Sequence, residues 1–234
     1  MTNLDVAKSS PVSDGFSPAV EEYLRALYKL ARRNPDGRPV TTSQLADRLA
    51  VRPASATAML QKLAAADPPL VEYHKSRGAR LTEAGQRAAL AVVRCHRLLE
   101  LFLHEKLGYS WDEVHEEADR LEHVVGPVMV ERLAAALGHP TRDPHGHTIP
   151  DADLTPTAAA FVPLTTLAAG QSAVIEQVGD DDPALLRQMA AAGLLPGVAL
   201  TVLTAAPALR IALGGETALE PSPDLAARVF VRAA

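Results

Sequence analysis

The chain has 234 residues, a mass of 24.8 kDa and a formal net charge of −5, with 47% hydrophobic and 22% charged residues. This composition excludes wholesale disorder, and the length predicts more than one domain. No apolar run is long enough for a membrane span, no signal-peptide pattern begins the chain, and a single cysteine, Cys95, excludes an intrachain disulfide, so we expect a cytoplasmic protein.

The charge is distributed unevenly along the chain. Residues 1–81 carry 12 Lys and Arg residues against 8 Asp and Glu residues. Residues 82–150 carry 7 against 11, and residues 151–234 carry 4 against 9. A basic first third followed by acidic segments favours a polyanionic partner for the first third and a cation for the second.

The first third predicts three helices and a β-hairpin. Ser17-Pro18 begins a helix whose apolar residues recur at helical spacing as far as the break around Pro35. A short second helix is separated by the turn Ala50–Arg52 from a third that begins at Pro53, which is the helix-turn-helix outline. Two short strands around the basic turn His74–Gly78 add a wing. This order predicts a winged helix-turn-helix.

The predicted third helix has a face suited to a DNA groove. Its apolar side chains share one face, which leaves short hydroxyls and long polar side chains on the other. Hydroxyl and amide groups can reach base edges, and basic groups of the helix and the wing suit phosphates. The predicted DNA-binding residues are Arg52, Ser55, Thr57, Gln61, Lys62, Lys75 and Arg77. The alternative interpretation is an ordinary solvated face on a protein-binding hairpin.

The remaining elements change character along the chain. A long helix follows Thr82, and a capping box at Ser110–Glu113 predicts another helix that breaks near Gly126, before a further helix over 128–137. Proline, aspartate, threonine and glycine then predict a linker up to about residue 160. Beyond it, short strands predict a small β barrel with one helix; the strands are at 172–178, 200–203, 210–213 and 229–231, and the helix is near 183–192.

Seven of the eight histidines lie between His96 and His147, in the acidic middle third. In a continuous helix of about 100° per residue, four metal-ligating side chains would fall within an arc of about 100°. These four are His115, Asp119, Glu122 and His123. A similar set at four-residue spacing precedes them: His96, Glu100 and His104. Such convergence favours bound cations, with a solvated polar face as the alternative.

The sequence carries no pattern typical of an enzyme. The run from His115 to Asp119 begins like the zinc-protease HExxH motif, but Asp119 stands where that motif has its second histidine. No nucleophile elbow or phosphate-binding glycine loop occurs, and Cys95 is expected to pack within a helix. We therefore expect no catalytic activity.

Five segments, in chain order, resemble motifs of the diphtheria toxin repressor family, and within it of the manganese-transport regulators. They are EEYLRALYKL, RLAVRPASATAMLQKL, CHRLLELFL, VHEEADRLEHV and PHGHTIP. The run GLLPG at Gly193–Gly197 resembles the SH3-like (FeoA-like) domain of longer members. The resemblance implies a mainly α protein with a small β domain: a winged helix-turn-helix (1–81), a helical metal-binding and dimerisation domain (82–150), a linker (151–160) and an SH3-like barrel (161–234).

The resemblance also implies two metal sites. The regulatory site would use Glu22, Asp119, Glu122 and His123. The second site would use His96, Glu100 and His115, with Asp182 from the C-terminal domain. The iron branch has methionine and cysteine where this sequence has Glu22 and Asp119, and the close manganese regulators have an acidic residue where it has Arg25. Carboxylates in place of sulfur favour Mn²⁺, with Fe²⁺ as the alternative.

The implied function is a homodimeric repressor of metal-uptake genes that binds double-stranded operator DNA and has no membrane partner. A divalent metal would order the first helix against the dimerisation domain and so set the spacing of the two recognition helices. The alternative is a metal-binding or storage protein whose helical hairpin binds protein rather than DNA.

Overall fold

The computed structural model describes residues 15–34, 36–155, 161–215 and 217–233. Within these ranges the chain forms eight α-helices and two β-sheets. The first 14 residues, the predicted helix break at Pro35 and the second half of the predicted linker, residues 156–160, lie outside the described residues. No described helix is both long and apolar enough to cross a membrane.

The N-terminal elements form the predicted winged helix-turn-helix. A proline at the first or second position begins α1 and α3, and a reciprocal capping box between Thr41 and Gln44 begins α2. The wing approaches Val40 so closely that a Cβ at Gly78, where φ is +101°, would lie 2.3 Å from the Val40 carbonyl oxygen. The elements are α1 (Pro18–Arg32), α2 (Thr42–Arg48), α3 (Pro53–Ala64), β1 (Val71–His74) and β2 (Gly78–Leu81).

Three helices follow, and the second is shorter than the sequence indicates. The three are α4 (Glu83–Leu107), α5 (Val114–Leu121) and α6 (Pro127–Ala136). Ser110 does donate its backbone N–H to the Glu113 carboxylate at 3.1 Å, but residues 111–113 form a turn before the helix begins. Because α5 ends at Leu121, Glu122 and His123 lie in the turn after it. Helical spacing therefore does not align these two side chains with those of His115 and Asp119.

The C-terminal part is a six-stranded antiparallel sheet with strand order β3-β8-β4-β5-β6-β7. The sequence does not predict the edge strands β3 and β7, which have only two and three residues, or the helix α8, whose five residues are little more than one turn. The elements are β3 (Val162–Pro163), β4 (Ser172–Val178), α7 (Pro183–Ala191), β5 (Ala199–Thr204), β6 (Arg210–Leu213), β7 (Thr217–Leu219), α8 (Pro223–Ala227) and β8 (Val229–Ala233).

The chain divides into two compact units, with the boundary inside α4. Among the described residues, the first unit contains residues 15–34 and 36–95, Glu122–Glu131 and residues 150–155, and its core includes buried leucines of α1, α2 and α3. The second contains His96–Leu121, Arg132–Ile149 and the C-terminal sheet, whose inner residues form its core. The sequence places domain limits at 81 and 150 instead, so the predicted middle domain contributes to both units.

Within the second unit, residues 142–149 form a loop against β4, which we call the Asp143 loop. The Val178 N–H donates to the His145 carbonyl oxygen at 3.0 Å, and Arg142 pairs with Glu176 at 2.7 Å. Gly146 has a φ of +85°, and a Cβ there would lie 2.0 Å from the Glu176 carbonyl oxygen. Only glycine permits this approach of the two backbones.

Candidate metal centre

In the first unit, two residues of α1 face the turn that follows α5. We call Glu21, Arg25, Glu122 and His123 the first cluster. His123 Nδ1 lies 2.6 Å from Glu21 Oε2, and Arg25 Nη1 donates to Glu122 Oε2 at 3.0 Å. The Glu122 side chain is fully buried and that of Glu21 is 14% exposed. Two carboxylates, one imidazole and one guanidinium are therefore held together where water screens their charges poorly.

Glu22, the α1 ligand that the resemblance implies, lies outside this arrangement. Glu21 and Arg25 are one helical turn apart and share a face, whereas Glu22 is rotated from Glu21 by about 100° and is exposed. The structure therefore brings Glu21, and not Glu22, to His123. The pattern of acidic residues in EEYLRALYKL does not reveal which of the two glutamates faces inward.

Cys95 lies beside the first cluster, and its thiol is expected to be unreactive. Its thiol is buried, 3.8 Å from the Glu122 carbonyl oxygen. Burial, followed by the charges of Glu122 and Glu21, raises the pKa of Cys95 to about 12. Because a thiolate is the form that attacks electrophiles or binds metals, the protonated Cys95 fits the packing role predicted for it.

In the second unit, side chains of α4, of α5 and of the segment that follows β4 form a second cluster. It consists of His96, Glu100, His115 and Asp180. Glu100 Oε1 lies 3.0 Å from His96 Nε2 and 2.9 Å from His115 Nδ1, and Asp180 Oδ2 lies 3.9 Å from His115 Nδ1. The Glu100 side chain is fully buried, and its Oε2 has no hydrogen-bond partner among the described residues. A buried carboxylate oxygen facing imidazoles is a donor set that fits a divalent cation.

The charge state of Glu100 follows from its neighbours. Burial alone would raise the pKa of this carboxyl, but the charge of His96 and hydrogen bonds from His115 and His96 outweigh it. Together they hold the pKa of Glu100 well below its usual range. Glu100 is thus a carboxylate at neutral pH, which is the form that binds a metal.

The predicted ligand Asp182 occupies a place different from the one expected. Asp182, predicted for the second site, is the N-cap of α7 and accepts the Ala184 N–H at 2.9 Å. The carboxylate that faces His115 is that of Asp180, which sequence reasoning missed within the run of three aspartates. Asp119, predicted for the regulatory site, lies with its Oδ1 3.3 Å from His96 Nδ1.

The predicted DNA-binding residues lie on α3 and the wing, and nearly all of them are exposed. Thr57 is half-buried, and its hydroxyl donates to the Pro53 carbonyl oxygen at 2.9 Å. Its hydroxyl proton is therefore used within the helix, which leaves the oxygen and the methyl group for an external contact. The exposed members are Arg52, Ser55, Gln61, Lys62, Lys75 and Arg77.

A winged helix-turn-helix followed by helices with two histidine–carboxylate clusters defines a DNA-binding protein of the metal-responsive class. Three family models match successive parts of the chain. They describe the N-terminal DNA binding domain of iron dependent repressors (residues 15–79), their metal binding and dimerisation domain (82–151) and the FeoA domain (162–233). The chain belongs to the diphtheria toxin repressor family of metal-dependent, DNA-binding transcriptional repressors.

Individual relatives agree with this assignment. The iron-dependent repressor IdeR of Mycobacterium leprae (strain TN) is 32% identical over 196 residues, which is 79% of this chain and 83% of that protein. A structure described as a manganese-dependent transcriptional repressor in complex with manganese superposes with a TM-score of 0.84 at 34% identity, covering 92% of this chain and 100% of that one. The manganese regulator SloR gives a TM-score of 0.74 at 32% identity, with 94% and 100% coverage. Two of these relatives are described as transcriptional repressors and the third as a regulator, and none supports the storage alternative.

Proposed function

We propose that this protein represses transcription in response to manganese, with ferrous iron as the second candidate. The buried Glu122 carboxylate, together with the contact between Glu21 and His123, carries the proposal. Glu21, in place of the predicted Glu22, and Glu122 would supply oxygen ligands and His123 a nitrogen ligand, while Asp119 remains a predicted ligand of this site. Oxygen-rich donor sets suit manganese and ferrous iron better than softer cations.

Arg25 gives the first cluster two alternative states. Its guanidinium pairs with the buried Glu122 carboxylate and offsets part of its charge. A divalent cation at Glu122 would compete with Arg25 for Oε2 and would supply the charge that holds both carboxylates and His123 together. Glu21 would then tie α1 to the turn at Glu122 and His123 through a shared ligand set instead of a single hydrogen bond.

The second cluster would hold a further cation, in addition to the one bound at the first cluster. His96, Glu100 and His115 supply nitrogen and oxygen donors, and Asp180 brings a carboxylate from the C-terminal domain. Asp182 stays a predicted ligand, although its carboxylate caps α7. The contact of Asp180 with His115 would make metal loading sensitive to the C-terminal domain.

Ordering of α1 explains how metal would control DNA binding in a cytoplasmic repressor. The core of the first unit joins α1 to the recognition helix α3, so an ordered α1 fixes the position of α3. In a homodimer, two recognition helices must lie about 34 Å apart to enter successive major grooves. Metal binding would favour this spacing over others.

The proposal is tested by fluorescence anisotropy on operator DNA selected from a random-sequence pool. Manganese should promote binding and a chelator should reverse it. Ferrous iron, under anaerobic conditions, should act only at higher free concentration. A lower effective concentration for iron would assign the protein to iron instead. Binding that no metal affects would contradict the metal response, and absence of DNA binding with every metal would favour the storage alternative.

The basic groups of α3 and the wing predict a division of labour on DNA. Lys62→Ala and Arg77→Ala should each weaken binding to specific and random DNA equally and reduce the salt slope by about 1, as loss of a phosphate contact does. Gln61→Ala should instead weaken specific binding by about 1 to 3 kcal/mol and relax sequence discrimination. Lys106→Ala, an exposed lysine near the end of α4, is the control. Equal effects of all three test variants on both kinds of DNA would contradict the division.

A further inference from the structure

The Asp143 loop gathers a third set of metal-ligating side chains that the two predicted sites do not use. Asp143, His145 and His147 alternate along the loop and each offers a ligand atom, with all three atoms within 4.8 Å of one another. Each of the three residues also has one atom of interest, namely Asp143 Oδ2, His145 Nδ1 and His147 Nδ1. In the described part of the chain, each of them is buried and lacks a hydrogen-bond partner. Buried polar atoms are rarely left in this state without an ion or a water.

The tautomer of His145 is fixed by its other nitrogen. Nε2 lies 2.9 Å from the Trp111 carbonyl oxygen, which can only accept a hydrogen bond. Nε2 therefore carries the proton, and in the neutral ring Nδ1 presents a lone pair. Metal-binding histidines commonly donate their second ring N–H to a carbonyl in this way. The side chain of His145 is fully buried.

The Asp143 carboxylate is oriented by the backbone of its own loop. Oδ1 accepts the N–H groups of His145 at 2.9 Å and His147 at 2.8 Å. This pair of bonds leaves Oδ2 facing the imidazoles, 3.2 Å from His147 Nδ1. Arg97 Nε lies 3.6 Å from the same oxygen, and Arg97 also donates to the Thr148 carbonyl oxygen. Carboxylates that bind metals are commonly held in place by hydrogen bonds, as Oδ1 is held here.

We propose that Asp143, His145 and His147 form a third divalent-cation site. Two imidazole nitrogens and one carboxylate oxygen suit a first-row transition cation such as zinc or cobalt, with water completing the coordination. The loop is already held against β4, so the three ligands need little reorganisation. His145 Nδ1 also lies 4.0 Å from Glu100 Oε1, which makes sharing with the second cluster the competing interpretation.

The test counts zinc ions bound per chain, by equilibrium dialysis and elemental mass spectrometry. Asp143→Asn retains Oδ1 for the two backbone N–H groups and removes only the anionic ligand. We expect it to bind one zinc ion fewer than the wild type, and His147→Ala to show the same loss. Asp151→Asn is the matched control, because this exposed carboxylate likewise accepts a backbone N–H, that of Thr155. Its zinc count should not change.

Combination with His115→Ala separates the third site from the second cluster. Since the result is a difference from the wild type, it does not depend on the proposed response to manganese. If the sites are independent, the double variant with Asp143→Asn should lose two zinc ions. A loss of only one in the double variant would show that the loop serves the second cluster and would overturn the proposal. An unchanged number of bound zinc ions in both Asp143→Asn and His147→Ala would also overturn the proposal. If Asp143→Asn does not fold, the zinc count of His147→Ala decides alone.

Discussion

Glu122→Gln is expected to abolish metal-stimulated operator binding while leaving the homodimer intact. The substitution keeps the shape of the side chain but removes the buried anion that Arg25 pairs with and that a cation would require. Loss of a residue that merely supports a ligand costs about 10- to 100-fold in metal affinity, so loss of the ligand itself should cost at least about 100-fold. Manganese titrations followed by anisotropy, with sedimentation to confirm the dimer, measure the effect.

A pair of adjacent substitutions on α1 serves as the internal control for this result. Glu21→Gln should weaken the manganese response, because Glu21 contacts His123, whereas Glu22→Gln should leave it close to wild type, because Glu22 is exposed. The reverse order would restore Glu22 as the ligand from α1. If Glu122→Gln itself responds to manganese at the wild-type concentration, the first cluster is not the regulatory site.

Gly146→Ala is expected to have the largest effect on stability. The alanine would carry the strain of a positive φ, about 1 to 3 kcal/mol, and its Cβ would lie 2.0 Å from the Glu176 carbonyl oxygen. The two backbones must separate, so we expect a total loss above about 4 kcal/mol. Urea unfolding can be followed through Trp111, the single tryptophan, whose indole N–H donates to the Pro144 carbonyl oxygen of the same loop.

Gly170→Ala separates the two contributions. Gly170 has nearly the same φ, +84°, but nothing lies within 4 Å of a Cβ built there. The Gly170→Ala variant should therefore lose only the unfolding free energy that corresponds to the backbone strain. An equal loss of unfolding free energy in both variants would mean that the close approach at Gly146 relaxes without cost.

The architecture was predictable from the sequence because its signals are local. Prolines begin α1 and α3, a threonine caps α2, and the strands β4 and β6 have the bounds that the sequence predicts. The helix after Ser110 was predicted too long, since a capping box can close a turn without beginning a helix. The strands β3 and β7 are too short for any local pattern to indicate them.

The site was less predictable, because ligand geometry depends on tertiary contacts. A resemblance transfers residue positions, but it did not indicate that Glu21 rather than Glu22 would face His123. The sequence does carry a signal that distinguishes the aspartates before α7. An aspartate directly before a helix-initiating proline is a typical N-cap, which assigns Asp182 to capping α7. Asp180 is then left as a possible metal ligand. Nothing local places His145 next to Glu100.

The attachment of the Asp143 loop to β4 means that the linker is not the only connection of the C-terminal domain to the rest of the chain. Asp112 pairs with Arg187 at 2.6 Å, and Val178 donates to His145, so side-chain and backbone contacts within the second unit tether the sheet independently of residues 151–160. Removal of the C-terminal sheet would therefore expose the face of the Asp143 loop that contacts β4. It would also expose the Trp111 ring, which packs on the core of the sheet. The C-terminal sheet is thus part of the same compact unit as the second cluster, and its deletion would remove the Asp180 carboxylate that faces His115.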